Sequence, residues 1–267
     1  MPVDHRQPRQ SHLPVPPARP WEVPAPESVR QPKRQVRPAF RSRRDFLSVA
    51  IFLLLILGVG ISAYRDLSRP DAWGYWKDLY LSPSMTSSLA DIADLDGSGR
   101  RHRALVLGGK IGAASASWFR ERLDEARLKP GDTVLISSPG GDLGQAIIMG
   151  EVIRSRGLTT AVGAVDASGR TRPSHCASAC VFVYAGGKVR FGVEGSRLGV
   201  HRFTTSTPGD DPVADTQWAT GMVLSYLTRM GVSASLVEAM SATNAIRWLS
   251  MQEAMAMNLI TVPVHRP

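Results

Sequence analysis

An uncharged, apolar run divides this chain into parts that must fold separately. Residues 46–64 contain no charged side chain, and the nine residues from Val49 to Leu57 are all apolar. A helix of nineteen residues is roughly 28 Å long, which matches the hydrocarbon thickness of a bilayer. The run therefore predicts a single transmembrane helix over 46–64.

Two other interpretations of the run are a cleaved signal peptide and a buried core helix. The forty-five residues before it are far longer than the basic start of a usual signal peptide, and no Ala-x-Ala cleavage site closes it. Ser48 and Ser62 make no second, polar face, which disfavours a core helix. The transmembrane interpretation is the strongest of the three.

The segment before the run, residues 1–45, has the composition of a disordered basic tail. It holds ten of the nineteen prolines, and ten Lys or Arg against four acidic residues. Such a segment buries too little apolar surface to offset the entropy lost on ordering. Because this tail carries +6 of the formal net charge of +9, the folded remainder is not indicated as a nucleic-acid-binding surface.

The charges that flank the run predict its orientation. Three arginines precede it, whereas the two that follow are accompanied by acidic residues (Arg41, Arg43 and Arg44; then Arg65 and Arg69 with Asp66 and Asp71). The positive-inside rule then leaves the N-terminal tail in the cytoplasm and the C-terminal part outside it. We assign 65–102 to a juxtamembrane linker, whose aromatics Trp73, Tyr75 and Trp76 suit a membrane interface or packing against the domain.

The remaining residues, 103–267, alternate between strand and helix patterns. Each strand is a short β-branched or apolar run, and each helix shows apolar residues at helical spacing. The intervening segments are long enough for crossover connections, which predicts an α/β domain with a mainly parallel sheet. The predicted strands are 104–107, 133–137, 158–165, 188–191 and 197–201; the predicted helices are 114–126, 143 up to the closing Gly157, 213–230, 233–240 and 250–257.

Three motifs within this domain occur in the order that acyl transfer requires. The turn from Ser138 to Gly141 joins a strand to a helix, and its glycine N–H groups can serve an oxyanion hole. Ser178 lies in the run His175 to Cys180 at the start of an apolar, helix-length segment, where a serine nucleophile can be presented. His201 ends a predicted strand and can act as the general base. Singly, each is more often an ordinary turn, a buried small residue or a structural histidine.

Residues of about 103 to 262 resemble the Clp protease proteolytic-subunit-like branch of the crotonase superfamily, and more narrowly its membrane-anchored or periplasmic bacterial members. The resemblance is carried by four stretches: Ile136–Asp142, Cys176–Cys180, Gly199–Phe203, and Leu249–Ala254 followed by Leu259–Ile260. It implies a repeated β-β-α spiral domain, a bacterial inner-membrane protein with a periplasmic domain, and a homo-oligomer.

The resemblance also implies a role for each site residue. Ser178 corresponds to the nucleophile and His201, twenty-three residues later, to the base. The oxyanion donors correspond to Gly141, with Gly140 beside it, and Ala179. The usual aspartate of the triad is replaced here, and the nearest polar residue is Asn244. Three aspartates are alternatives for that position: Asp210, Asp211 and Asp215.

The resulting prediction is an ATP-independent serine peptidase, membrane-anchored and ClpP-like, that hydrolyses peptide or protein substrates without a metal or cofactor. The alternative is a catalytically inactive scaffold, which the missing aspartate favours. A zinc site built from His175, Cys176, Cys180 and His201 is a weaker alternative, because the spacing is not a standard zinc pair. Cys176 and Cys180 can pair only if the first precedes the helix, so their state stays open at this point.

Overall fold

The computed structural model describes residues 43–69, 72–92, 95, 102–166, 170–203 and 211–264. Most of the tail predicted to be disordered lies outside the described residues. The chain divides into two units, Met1–Leu57 and Gly58–Pro267. The first unit is represented by part of one helix, and the strands of the described residues all lie in the second.

The first helix, α1, spans Arg43–Leu67. Its stretch Phe46–Leu67 is 22 residues long with a mean hydropathy of 2.6, and none of it is buried within the chain. Among the described residues it is the one helix long and apolar enough to cross a membrane. Length and composition thus agree with the predicted span, while the orientation across a membrane stays a prediction.

The second unit alternates short strands and helices after α1. A π-helical turn, Lys77–Leu81, follows α2. The elements in chain order are α2 Ala72–Trp76, β1 Met85–Ile92, β2 His102–Gly109, α3 Ser115–Ala126, β3 Thr133–Ser137, α4 Leu143–Ser155, β4 Thr159–Val162, β5 Ala164–Val165, β6 Thr171–Arg172, β7 His175–Ala177, α5 Cys180–Ala185, β8 Arg190–Val193, β9 Arg197–Val200, α6 Pro212–Arg229, α7 Ser235–Ser241, β10 Arg247–Leu249, α8 Met251–Ala256 and β11 Val262–Val264.

Six strands form the main sheet, in the order β1-β2-β3-β4-β8-β11. Only β1 and β2 are antiparallel, and the other four pairs are parallel. A second sheet has the order β10-β9-β7, with β7 parallel to β9, and β5 pairs with β6 as a small hairpin. The predicted α/β class with a mostly parallel sheet is confirmed, whereas the repeated β-β-α spiral stays a prediction.

The main sheet is buried on both faces, as the run at β3 predicts. Val134 and Ile136 pack into a large cluster with side chains of the helices, such as Phe119 and Ile153. Leu135, between them, points to the opposite face and a smaller cluster. This alternation is the two-residue period of a strand inside a sheet that is covered on both sides.

The sheet begins earlier in the chain than the sequence patterns indicate. Residues 85–92, within the stretch assigned to the linker, form β1 and pair with β2 over eight positions. Only Met85 and Ile92, at the two ends of this strand, are buried. An edge strand with so little burial has no hydrophobic alternation in its sequence, so the sequence pattern does not predict this strand.

Candidate active site

The candidate site forms where three strand ends meet. β7 and β9 are parallel neighbours, with Ala177 opposite Gly199. Ser178 directly follows β7 and His201 directly follows β9, so both side chains emerge at the same edge of this sheet. The register of two parallel strands thus brings together residues that are twenty-three positions apart in the sequence.

Ser178 and His201 are in hydrogen-bonding contact. The Ser178 Oγ lies 2.8 Å from Nε2 of His201, which is the separation that a nucleophile and its base require. Ser178 adopts a left-handed backbone conformation with φ of 56°, and its N–H donates to the carbonyl of Gly199 at 2.8 Å. The serine therefore sits on a sharp turn between β7 and α5, two residues before the helix begins at Cys180 rather than at its first position.

A backbone carbonyl orients the imidazole of His201. The Nδ1 atom is 2.7 Å from the carbonyl oxygen of Arg202. A carbonyl oxygen can only accept a hydrogen bond, so Nδ1 carries the proton and Nε2 is left to accept from the serine hydroxyl. This is the tautomer that a general base needs. A neutral carbonyl supplies less stabilisation to an imidazolium than a carboxylate would.

Among the described residues, none of the candidates for the third position of the triad makes a hydrogen bond with His201. Asn244 is exposed, and its side chain makes no hydrogen bond with any residue that the structure describes. Asp211 caps α6, accepting from the N–H groups of Val213 and Ala214. Asp215 lies in the first turn of that helix, and Asp210 lies outside the described residues.

The glycine turn after β3 joins the same edge. Ser138 donates its N–H to the carbonyl of His175 and accepts from the N–H of Ala177, both at 3.0 Å, which extends the pairing from β3 to β7. Gly140 and Gly141 have φ of 96° and 144°. A Cβ on Gly140 would lie 2.8 Å from that of Ser178, and one on Gly141 would collide with the carbonyl of Ile111. Both positions therefore require glycine.

Two backbone N–H groups beside the serine have no acceptor among the described residues, those of Gly141 and Ala179. They are the two N–H groups that the family resemblance implies for an oxyanion hole. The N–H of Gly140 is already engaged, since it donates to Ser138 Oγ at 3.1 Å. Gly140 thus packs closely against the serine. Because its N–H is bonded to Ser138, this geometry does not fit the prediction that Gly140 is an oxyanion donor.

Ser178 and His201 line a cavity of about 610 Å³. One part of its lining is apolar, from Phe182, Phe203 and Met240, and two cationic side chains, Lys110 and Arg202, also line it. The size suits a segment of a larger molecule or a small ligand. Ser178, Gly141 and Ala179 lie at its wall.

A residue of the predicted linker supports one wall of the cavity. Asp78 accepts hydrogen bonds from the N–H of Ser84 at 2.8 Å and from the N–H of Ala114 at 2.9 Å. The second bond anchors the loop of Ile111 and Gly112, both of which line the cavity. Burial would raise the pKa of the Asp78 carboxyl, but the hydrogen bonds from Ser84 and Ala114 outweigh it and hold that pKa below its usual value.

We expect Asp78→Asn to destabilise the domain in a pH-dependent way. A carboxyl whose pKa is lower in the folded chain contributes stability above the pKa of the unfolded chain, and loses it as pH falls through the folded pKa. The melting temperature of Asp78→Asn should therefore lie below that of wild type at neutral pH, and the gap should shrink on acidification. Thermal melts of both proteins across a pH series measure this, and a gap that stays constant would contradict it.

The two cysteines form a disulfide between Cys176 of β7 and Cys180 of α5, with a Cα–Cα distance of 5.3 Å. The first cysteine precedes the helix, which is the condition that pairing required. With both sulfurs bonded to each other, neither is a thiolate ligand, so the four-residue zinc alternative does not fit this state. The described residues contain no group of three or more His, Cys, Asp or Glu placed to hold a metal.

Comparison with known proteins finds similarity to solved structures alone. No protein-family model matches the chain, and no curated protein matches it. Among solved structures, the chain is similar to ClpP1 from Listeria monocytogenes, with a TM-score of 0.48 and 16% identity, over 61% of this chain and 92% of that chain. Similarity at this level transfers no activity, substrate or assembly, so the chemistry of the site is taken from its own geometry.

Proposed function

We propose that this chain is a membrane-anchored serine peptidase, which hydrolyses amide bonds through an acyl-enzyme on Ser178. The observation that carries the proposal is the 2.8 Å contact between Ser178 Oγ and His201 Nε2, with the free N–H groups of Gly141 and Ala179 beside it. A nucleophile, a base in the required tautomer and two oxyanion donors are the parts that acyl transfer needs.

The reaction follows from this arrangement. Ser178 Oγ attacks the substrate carbonyl carbon while its proton passes to Nε2 of His201, and the oxyanion accepts hydrogen bonds from Gly141 and Ala179. The imidazolium then gives the proton to the leaving amine as the C–N bond breaks. Water attacks the resulting ester, its proton goes to Nε2, and the returning proton releases Ser178 and a carboxylic acid.

Labelling with a fluorophosphonate tests the proposal. The probe phosphonylates an activated serine, so wild-type protein solubilised in detergent should be labelled and Ser178→Ala should not. Ser155→Ala is a matched control, because Ser155 is exposed at the end of α4, its hydroxyl donates to the carbonyl of Val152, and it does not line the cavity. Melting temperatures of all three proteins establish that they are folded. Folded wild-type protein that takes up no label would refute the peptidase.

A non-catalytic scaffold is the second candidate function. It is favoured by the absence, among the described residues, of a carboxylate at Nδ1 of His201, where a carbonyl is found instead. In that case the cavity binds a partner without cleaving it. Ser178→Ala would then leave the behaviour of the protein in cells unchanged, whereas a peptidase would lose its function.

The cellular setting belongs to the same proposal. The length and composition of α1 support a single membrane span, and the arginines before it support a cytoplasmic N-terminus with the domain on the periplasmic side of a bacterial inner membrane. The exposed aromatics that follow, Trp73, Trp76 and Tyr80, suit the membrane interface. Self-association into a homo-oligomer is proposed from the sequence resemblance.

A further inference from the structure

The disulfide encloses the residues that present the nucleophile. Cys176 and Cys180 flank Ala177, Ser178 and Ala179, and the covalent bond closes these residues into a small ring. Both cysteines are fully buried. One end of the ring is fixed in β7 and the other in α5, so the bond ties the strand to the helix across the turn.

Ser178 needs support to keep its backbone conformation. A left-handed φ is unfavourable at a residue other than glycine, and it persists only where the surroundings enforce it. The hydrogen bond from the Ser178 N–H to Gly199 and the close approach of Gly140 supply part of that support. The disulfide adds a covalent constraint, because a change of φ at Ser178 moves one cysteine relative to the other.

Of the four groups that the proposed reaction uses, two belong to residues of this ring and two do not. The Ser178 hydroxyl and the Ala179 N–H are inside, whereas His201 and Gly141 belong to other segments. Opening the ring would therefore loosen the nucleophile and one oxyanion donor together, relative to the base and the other donor. Phe203 and Met240, which supply part of the apolar cavity lining, belong to other segments, so the chemical step should suffer more than substrate binding.

We propose that the Cys176–Cys180 disulfide is a positioning element for Ser178, which makes the oxidised peptidase more active than the reduced one. This inference rests on the proposed function. A dithiol reductant supplies two electrons and two protons, the S–S bond breaks into two thiols, and the dithiol closes to its own disulfide. An oxidising compartment outside the cytoplasm keeps the bond formed, whereas the cytoplasm would keep the enzyme reduced and poorly active.

The test compares wild type with Cys176→Ala/Cys180→Ala, both full-length in detergent, by the kinetics of fluorophosphonate labelling. The maximal rate constant for labelling should fall by about 10- to 100-fold in the variant, the range expected for a small misplacement of a reacting group. The probe concentration at half-maximal rate should stay within about twofold, as uniform binding is kept. Reducing the wild type with dithiothreitol should lower its labelling rate constant by the same factor, and reoxidation should restore it. The labelling rate constant of the variant should not change with the reductant.

Val193→Ala is the control for general loss of stability, since Val193 is buried in the smaller cluster, away from the turn. It should lower the melting temperature and keep the labelling rate constant. If the labelling rate constant of Val193→Ala falls as far as that of Cys176→Ala/Cys180→Ala, the positioning role is overturned. It is also overturned if the double variant is labelled as fast as wild type, a result that leaves the proposed peptidase intact. Wild type that is unlabelled in both redox states overturns the peptidase and the inference with it. Reversible loss on reducing the wild type supports the inference even if the variant fails to fold.

Discussion

His201→Gln is expected to lower the rate of fluorophosphonate labelling at Ser178 by at least about 100-fold, the lower range for a general base. Glutamine has nearly the reach of histidine and can hydrogen-bond to the serine, but its amide takes up no proton. The serine hydroxyl would then have to ionise without the acceptor that now lies 2.8 Å away. Labelling time courses on detergent-solubilised wild type and variant measure the ratio, and melting temperatures establish folding.

Asn244→Ala and Asp211→Ala complete that experiment. Asp211 caps α6, so its replacement should lower the melting temperature and leave the labelling rate nearly unchanged. If Asn244→Ala retains labelling, the carbonyl of Arg202 is the group that orients the imidazole. A loss as large as that of His201→Gln would instead assign this role to Asn244. Labelling of His201→Gln at the wild-type rate would show that His201 is not the base.

Much of the fold follows from local patterns in the sequence. The β-branched run at 133–137 is a strand buried on both faces, and the predicted strand 197–201 matches β9, with His201 directly after it. These segments carry their own signal, either in hydrophobic period or in turn residues. The pairing of Ser178 with His201 is expected from the order of the motifs and the family resemblance, whereas the strand β7 that brings Ser178 to the edge of the sheet is not among the predicted strands.

The remaining features depend on contacts that leave no local pattern. The bond from Ala114 to Asp78 joins residues thirty-six positions apart, and neither residue type indicates it. The partner of His201 Nδ1 is a backbone carbonyl, which every residue possesses, so a search for an acidic side chain could not find it. The disulfide could be predicted only if Cys176 was known to lie in a strand that ends before α5 begins. Each of these is set by tertiary packing.

Arg190 of β8 is a buried cation held entirely by backbone carbonyls. It is 2% exposed, and its guanidinium donates to the carbonyl oxygens of Leu259 at 2.9 Å, Gly187 at 3.0 Å, Met230 at 3.2 Å and Asn258 at 2.6 Å. Burial lowers the pKa of this guanidinium. The single side chain thereby connects β8 with the end of α6 and with the segment that precedes β11.

Arg190→Met should be among the most destabilising substitutions in the domain. Methionine fills a similar volume but donates no hydrogen bond. The carbonyls of Leu259, Gly187 and Asn258 then lose their donor, whereas that of Met230 keeps its bond from Arg154. Each buried acceptor left unpaired costs about 1–3 kcal/mol, which together correspond to a drop in melting temperature of about 10 °C for a domain of this size.

The matched control is Arg156→Met, the same chemical change at a surface ion pair. Arg156 is 2.6 Å from Asp124, and their side chains are 39% and 66% exposed. Solvent screens such a pair, so its loss should change the stability by about 1 kcal/mol or less. Thermal melts of the two variants beside wild type measure the contrast. Equal shifts would mean that water replaces the guanidinium at the four carbonyls, and that Arg190 does not hold β8 to its neighbours.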